Sequence, residues 1–271
     1  MSSIIYKTEE EIELLREANI LVSRTHELIA SLIRPGLTGI YLDELAESFI
    51  RDHGGRPAFK GFGGFPASLC ISINEQVVHG IPSDKAFQEE DIVSVDCGVE
   101  LNGFFGDSAF TYMMPNTPDK VANLCRVTEE SLYKGIEKAV IGNRMMAIGH
   151  AIQSYAGKEH GYGIVRELVG HGIGRSLHEA PQVPNFGSKR RGMKIKEGLV
   201  IAIEPMINLG TREVMELKDG WTIVTKDGLP SAHYEHSIAV TKNGPDILSD
   251  HNLIKEKLKK NPNIRQLSVK I

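Results

Sequence analysis

The 271-residue chain is 41% hydrophobic and 24% charged, an ordinary globular composition for one large domain or two small ones. Its net charge of −4 excludes a global basic field for nucleic acid. Three scattered cysteines, Cys70, Cys97 and Cys125, exclude a disulfide framework and a cysteine-type zinc site. No apolar run approaches the ~20 residues of a spanning helix. Met1 to Arg16 lacks an apolar core and carries several glutamates, unlike a signal peptide. The expectation is a soluble cytoplasmic protein with no membrane and no specific nucleic-acid partner.

Thr8 and Glu11 form a T-x-x-E capping box ahead of Ile12, Leu15, Leu21, Val22, Leu32 and Ile33 at mostly helical spacing. Pro35-Gly36 stops that helix, and a second runs from about Thr38 to Asp52. Residues 59–65, rich in Gly and Phe, read as a loop. Strand-like stretches follow at Ser68–Asn74, Ile92–Glu100 and Ser108–Met114. Thr117-Pro118 opens a helix predicted to end near Gly142, and another covers about Met146–Lys158. Further strands are expected near Val165–Leu168, Leu199–Ile207, Thr222–Thr225 and His236–Thr241.

The halves echo each other. His53-Gly54 and His160-Gly161 each close a helix–turn–helix stretch, at an offset of 107. At an offset of 108, Ile92–Asp96 aligns with Val200–Glu204, an apolar strand ending in a carboxylate. Chance similarity of β-branched runs is the alternative to a true repeat. A true repeat places two α/β halves across a pseudo-twofold with their acids converging. After Ser249 the chain turns basic, with six Lys/Arg against two acids. Residues 1–249 therefore read as one domain, and 250–271 as a basic, solvated tail or a docking tail for the ribosome or nascent-chain machinery.

Asp96 and Asp107 flank an Asn102-Gly103 turn, so a hairpin can bring both carboxylates together, although two ordinary turn aspartates have the same spacing. Buried acids repel unless something positive lies between them, and a metal does that. His171 sits between Gly170 and Gly172, which let the backbone approach closely; a core or surface histidine is the alternative. Glu204 ends an apolar run and would be costly to bury unpaired. Glu235 starts another run, or is a surface acid. Four carboxylates over-neutralise one divalent ion and balance two. The oxygen-rich set suits Mn, Fe or Co, with Zn also admissible. Two ions ~3.5–4 Å apart bridge and acidify a water.

Five stretches, CISINEQVVHGIPSD (70–84), VSVDCGVELNGFFGDSAFTY (93–112), VGHGIGRSLHEAPQVPNF (169–186), IAIEPMI (201–207) and SAHYEHSIAVT (231–241), resemble the type I methionine aminopeptidases over most of residues 5–248. The resemblance implies an α+β pita-bread fold: two pseudo-symmetric halves with a curved antiparallel sheet covered by helices. It implies removal of N-terminal methionine from nascent proteins, with preference for a small second residue. It assigns Asp107 and Glu235 as bridging ligands of two divalent ions, Asp96 to one ion, and His171 with Glu204 to the other. Glu204 would also move the water's proton. His79 would stabilise the tetrahedral intermediate and pass a proton to the leaving amine, and His178 would hydrogen-bond the scissile peptide. Both tasks suit a group of ordinary pKa near 6.5.

Phe59, Phe62, Phe65, Cys70, Leu177 and Trp221 fall at or near the family's methionine pocket, where thioether–aromatic contacts form. Phe62 and Leu177 depart from the commoner tyrosine and phenylalanine, but both stay apolar. Asn74, Gln76 and Ser231 match a side site for a monovalent cation, Na or K. The short spacings from His171 to Glu204 and from Glu204 to Glu235 leave no room for the type II helical insertion. The family is usually monomeric. An X-Pro aminopeptidase of the same fold is opposed by the aromatic loop and Trp221. A non-catalytic binding module is opposed by the complete ligand set.

Overall fold

The computed structural model describes residues 3–266. Helix α1 (Glu9–Leu32) starts with the expected capping box, Thr8 Oγ1 accepting from Glu11 N–H, and with Glu9, Glu10 and Glu11 in its first turn. Acids there complement the positive end of the helix dipole. Helix α2 spans Gly39–Asp52. Strands β1 (Arg56–Pro57), β2 (Leu69–Ile73), β3 (Gln76–Val78), β4 (Ile92–Leu101) and β5 (Phe104–Met113) complete the first half. Asn102 and Gly103, both with positive φ (53° and 77°), turn β4 into β5. Such a two-residue loop matches the twist of antiparallel strands.

The second half opens with α3 (Asp119–Ile136) and α4 (Met146–Ile152), which runs into a π-helical stretch, Gln153–Glu159. The strands β6 (Gly163–Ile164), β7 (Gly170–Gly172), β8 (Glu179–Val183), β9 (Val200–Ile203), β10 (Met206–Asn208), β11 (Val214–Glu216), β12 (Ile223–Thr225), β13 (Ser231–His233), β14 (His236–Thr241) and β15 (Gly244–Ile247) follow. Helix α5 (His251–Leu258) comes last.

In the first half β4 carries β5 on one edge and β2 and β1 on the other; in the second the order is β15-β14-β9-β7-β8. The repeat is structural. Each half pairs its central strand antiparallel with the next acid-bearing one, β4 with β5 and β9 with β14. Isolated bridges recur at Thr38–Ala86 and Arg144–Lys194. The helical segments before β1 and β6 are both capped by a histidine, His53 and His160, followed by a positive-φ glycine. Two small sheets, β13-β10-β6 and β11-β12-β3, lie alongside, and β3 crosses from the first half to join β12. One continuous core spans both halves, with Leu21, Ile92, Tyr112, Leu124, Ile201, Tyr234 and Ile254 among its members.

Several expectations need correction. Val165–Leu168 is not a strand; the chain pairs only at Gly163–Ile164 and then turns away. The run 199–207 is broken at Glu204-Pro205, because proline has no N–H to give the ladder. Helix α3 ends at Ile136, well before Gly142. Thr117 does not cap it; its hydroxyl donates to the Asp91 and Met114 carbonyls instead. The segment after Ser249 is not a solvated tail as far as Gln266. His251, Ile254 and Leu258 recur on one buried face of α5, which packs on α1. Asn261 then donates to the carbonyls of Ala30 and Ile33 at the end of α1. Counting charges hid this apolar spacing. Residues 267–271, Lys270 among them, lie outside the described residues.

His26 of α1 is fully buried, donating from Nε2 to the Ser108 carbonyl and facing the Tyr112 hydroxyl with Nδ1. Burial lowers its pKa from 6.5 to about 4. The depressed value means the ring's contribution is intact above pH 6.5 and is lost as pH falls toward 4. Between pH 6.5 and 4.5 the wild-type unfolding free energy should drop by about 2 kcal/mol more than that of His26→Gln. Urea titrations at the two pH values measure it, and equal drops would refute a neutral buried His26.

Candidate active site

The strand register brings the acids together. Asp96 on β4 lies opposite Ala109, and Asp107 opposite Gly98. Asp107 is two residues from Ala109, so both aspartates project from one face of the hairpin as diagonal neighbours. In the other half, Glu204 and Glu235 lie one residue beyond the last pair of β9 and β14, Ile203 with His236. The two pairs meet where the halves touch. The Glu235 N–H donates to the Ala109 carbonyl at 2.9 Å. Ser108 Oγ donates to the Glu235 carbonyl at 2.7 Å, and Ser237 Oγ to the Asp107 carbonyl at 2.9 Å. These bonds stitch β5 to β14 without a regular ladder.

His171 sits mid-β7. A Cβ on Gly170 would come 2.3 Å from the Ala202 carbonyl oxygen, and one on Gly172 2.4 Å from that of Ala180. Only bare backbone lets β7 pass this close to its neighbours. His171 Nδ1–H donates to the Gly172 carbonyl at 3.0 Å, which leaves a lone pair on Nε2. That nitrogen faces Glu204 Oε1 at 3.6 Å and Asp107 Oδ2 at 3.8 Å. Ligand atoms of Asp107, His171 and Glu235 all lie within 4.8 Å of one another.

Unrelieved, this arrangement is electrostatically poor. Asp96 Oδ1, Asp107 Oδ1 and Glu235 Oε1 are buried with no hydrogen-bond partner among the described residues. Burial pushes the Asp96 carboxyl up to about 7. Burial and then the Glu235 and Asp96 charges raise Asp107 well above its ordinary value. Glu204 is raised by burial, then by Asp96 and Asp107; Glu235 by burial, then by Glu204 and Asp96. Burial, with His178 adding to it, lowers His171 to about 4, so its ring is neutral. Orphaned carboxylate oxygens around a bare imidazole nitrogen fit divalent cations, which neutralise the acids and accept the lone pair. The Nδ1–carbonyl bond is the usual outer support of a metal-bound histidine.

All thirteen residues expected in the metal, catalytic and substrate sets line one cavity of about 130 Å³. Asp96, Asp107, His171, Glu204 and Glu235 form its polar end. Phe59, Phe65, Cys70 and Leu177 are buried together on the apolar side. The Trp221 ring meets Phe65 edge-on, with centroids 5.2 Å apart. Phe62 is 47% exposed and meets His178 edge-on at 5.1 Å. Cys70 lies opposite Asp96 in the β2–β4 register. Burial and nearby acids raise its thiol well above the ordinary value, so it packs as a neutral group. His79, at φ 57°, and His178 are both lowered, chiefly by burial, and are neutral.

The three residues matched to a monovalent cation are placed elsewhere. The Asn74 carbonyl accepts from Ser231 N–H. Gln76 Oε1 accepts from Ile73 N–H, and Ser231 Oγ donates to Asn208 Oδ1.

Two site neighbours were not singled out from sequence. His233 is buried, and its Nε2 lies 3.9 Å from Glu204 Oε2 without a hydrogen-bond partner among the described residues. Asn185 Nδ2 donates to the Glu204 carbonyl at 2.9 Å. Both lie inside recognisable motifs, HYEH and VPNF, but neither residue type there signals contact with Glu204.

Residues 13–242 match metallopeptidase family M24. The chain belongs to that family. This M24 chain is 52% identical over 246 residues to a methionine aminopeptidase of Clostridium perfringens, covering 91% of this chain and 98% of the relative. It is 49% identical to methionine aminopeptidase 1 of Bacillus subtilis, covering 91% and 99%. The crystal structure of methionine aminopeptidase from Rickettsia prowazekii superposes with a TM-score of 0.90 at 40% identity, covering 92% of this chain and all of that one. The two-halved α+β architecture is the pita-bread fold of these M24 structures.

Gly170→Ala should displace β7 from β9 at a cost of about 1–3 kcal/mol, the usual range for overpacking. A thermal melt of the metal-free protein measures it; an unchanged melting temperature would contradict the close approach.

Proposed function

We propose that this chain is a methionine aminopeptidase acting on nascent polypeptide N-termini. The observation that carries the reading is the set of orphaned carboxylate oxygens and one bare imidazole nitrogen at the end of an aromatic-lined cavity. Asp96, Asp107, His171, Glu204 and Glu235 would together hold two divalent ions, with Asp107 and Glu235 placed to be shared between them. Mn, Fe or Co suits this oxygen-rich set best, with Zn also admissible. When bound, the ions polarise the scissile carbonyl and acidify water.

The protein groups do the rest. The apolar wall of Phe59, Phe65, Cys70, Leu177 and Trp221 takes the methionine side chain and excludes solvent. Glu204 takes a proton from the attacking water, and that proton passes to the leaving amine as the peptide C–N bond breaks. His79 and His178 are neutral imidazoles on the cavity wall. Each has an N–H to offer the scissile peptide or the developing oxyanion. A bulky second residue would collide with the walls beside the carboxylates, which favours small ones. A monovalent cation, Na or K, near Asn74 and Ser231 would have to use backbone oxygens, since Gln76 Oε1 and Ser231 Oγ are engaged within the protein.

Purified protein should release methionine from Met-Ala-Ser, lose activity on chelation and regain it with Mn, Fe or Co. Equal hydrolysis of Leu-Ala-Ser would overturn the methionine assignment. Asp107→Ala should lower kcat/KM by at least ~100-fold, and wild-type activity in that variant would overturn the ligand set.

A further inference from the structure

Ser108 follows Asp107 on β5 and is gripped from behind the carboxylate face. His26 of α1 donates to its carbonyl at 2.9 Å. Its hydroxyl lies 2.7 Å from the Glu235 carbonyl and 3.1 Å from His251 Nε2. A carbonyl can only accept, so the hydroxyl proton points to Glu235 and His251 Nε2–H must donate to Ser108 Oγ. His251 Nδ1 is buried with no partner among the described residues, which matches a neutral ring protonated on Nε2 alone. The ring is further fixed against His236, with centroids 3.7 Å apart. His236 is itself held by Ser249 at 2.6 Å and the Tyr133 hydroxyl at 3.2 Å.

His251 opens α5, whose N-cap Asp250 donates its N–H to Ser23 of α1 at 2.7 Å. The result is a continuous chain of donors: His251 Nε2–H to Ser108 Oγ, and Ser108 O–H to the Glu235 carbonyl. Without the histidine, the hydroxyl could rotate to another acceptor and release the Glu235 backbone.

We propose that His251 is a positioning residue for the metal centre, acting through Ser108 to hold Glu235 against Asp107. The C-terminal helix thereby becomes part of the site's support, although it contributes nothing to the cavity wall. The proposal rests on the metal-centre reading above. Its effect is on the geometry of two carboxylates that must share ions, and outer-shell partners of this kind usually contribute 10–100-fold in metal affinity.

Calorimetric titration of the metal-free, full-length protein with Mn(II) tests it. His251→Phe keeps the aromatic volume and removes the donor; it should weaken binding by roughly 10-fold or more. Ser108→Ala should do the same, and the double variant should be no weaker than the weaker single one, because both remove one relay. His251→Gln, whose amide nitrogen can replace Nε2, should stay within about 3-fold of wild type. Urea unfolding of the metal-free variants separates a packing role. Lower stability with unchanged Mn(II) affinity would overturn the proposal, as would additive losses in the double variant. If His251→Phe does not fold, unchanged affinity in Ser108→Ala overturns it alone. A wild-type protein that binds no Mn(II) would instead sink the metal-centre reading itself.

Discussion

Mutual repulsion among buried carboxylates is the constraint around which this protein is organised. Asp96, Asp107, Glu204 and Glu235 are all displaced toward their neutral forms by burial, and three of the four also by one another. In a low-dielectric interior such charges separate unless rigid backbone holds them or a cation joins them. The backbone device is in place. A type I′-like turn fixes the first pair, reciprocal serine–carbonyl bonds tie it to the second, and glycines bring the imidazole strand within reach. The single core running through both halves supplies the rigidity that keeps these elements in place.

Because the acids are supplied by paired strands, one repeated strand pairing accounts for their placement. Each half contributes a carboxylate at or just past its central strand and a second on the antiparallel neighbour. The second half adds β7 and its histidine, His171, at the polar end of the cavity. The apolar wall is assembled differently, from the 59–65 loop, β2, Leu177 and the turn carrying Trp221. Charge and shape selection are thus handled by separate parts of the chain. Changes such as Phe62 or Leu177 can alter the pocket's outline without touching a carboxylate.

Much of this was legible in the sequence, and the exceptions have physical causes. Strong period-3.6 and period-2 patterns located α1, α2, β4, β5 and β14, and the Asn102-Gly103 turn predicted their hairpin. The short strands β1, β6, β7 and β11 were not legible, because two or three residues held by a neighbour carry no periodicity of their own. The convergence of the four acids and His171 on one cavity was readable because the acids border apolar runs and glycines frame the histidine. His233 and Asn185 were not, since their contacts with Glu204 depend on how distant strands pack. Helix α5 was obscured by lysines on its solvent side, which outweighed the three-residue apolar stripe of His251, Ile254 and Leu258.

The division of the acids between two halves also sets an order in time. A chain being synthesised presents Asp96 and Asp107 long before Glu204, and Glu235 comes last of the four. Until the second strand pair has been made and has docked, the first offers only a lone aspartate pair, without Glu204, Glu235 or the His171 imidazole beside it. Peptidase power thus arrives as a late, all-or-none property of the finished fold, because the shared core and the serine–carbonyl bonds form only when both halves are present.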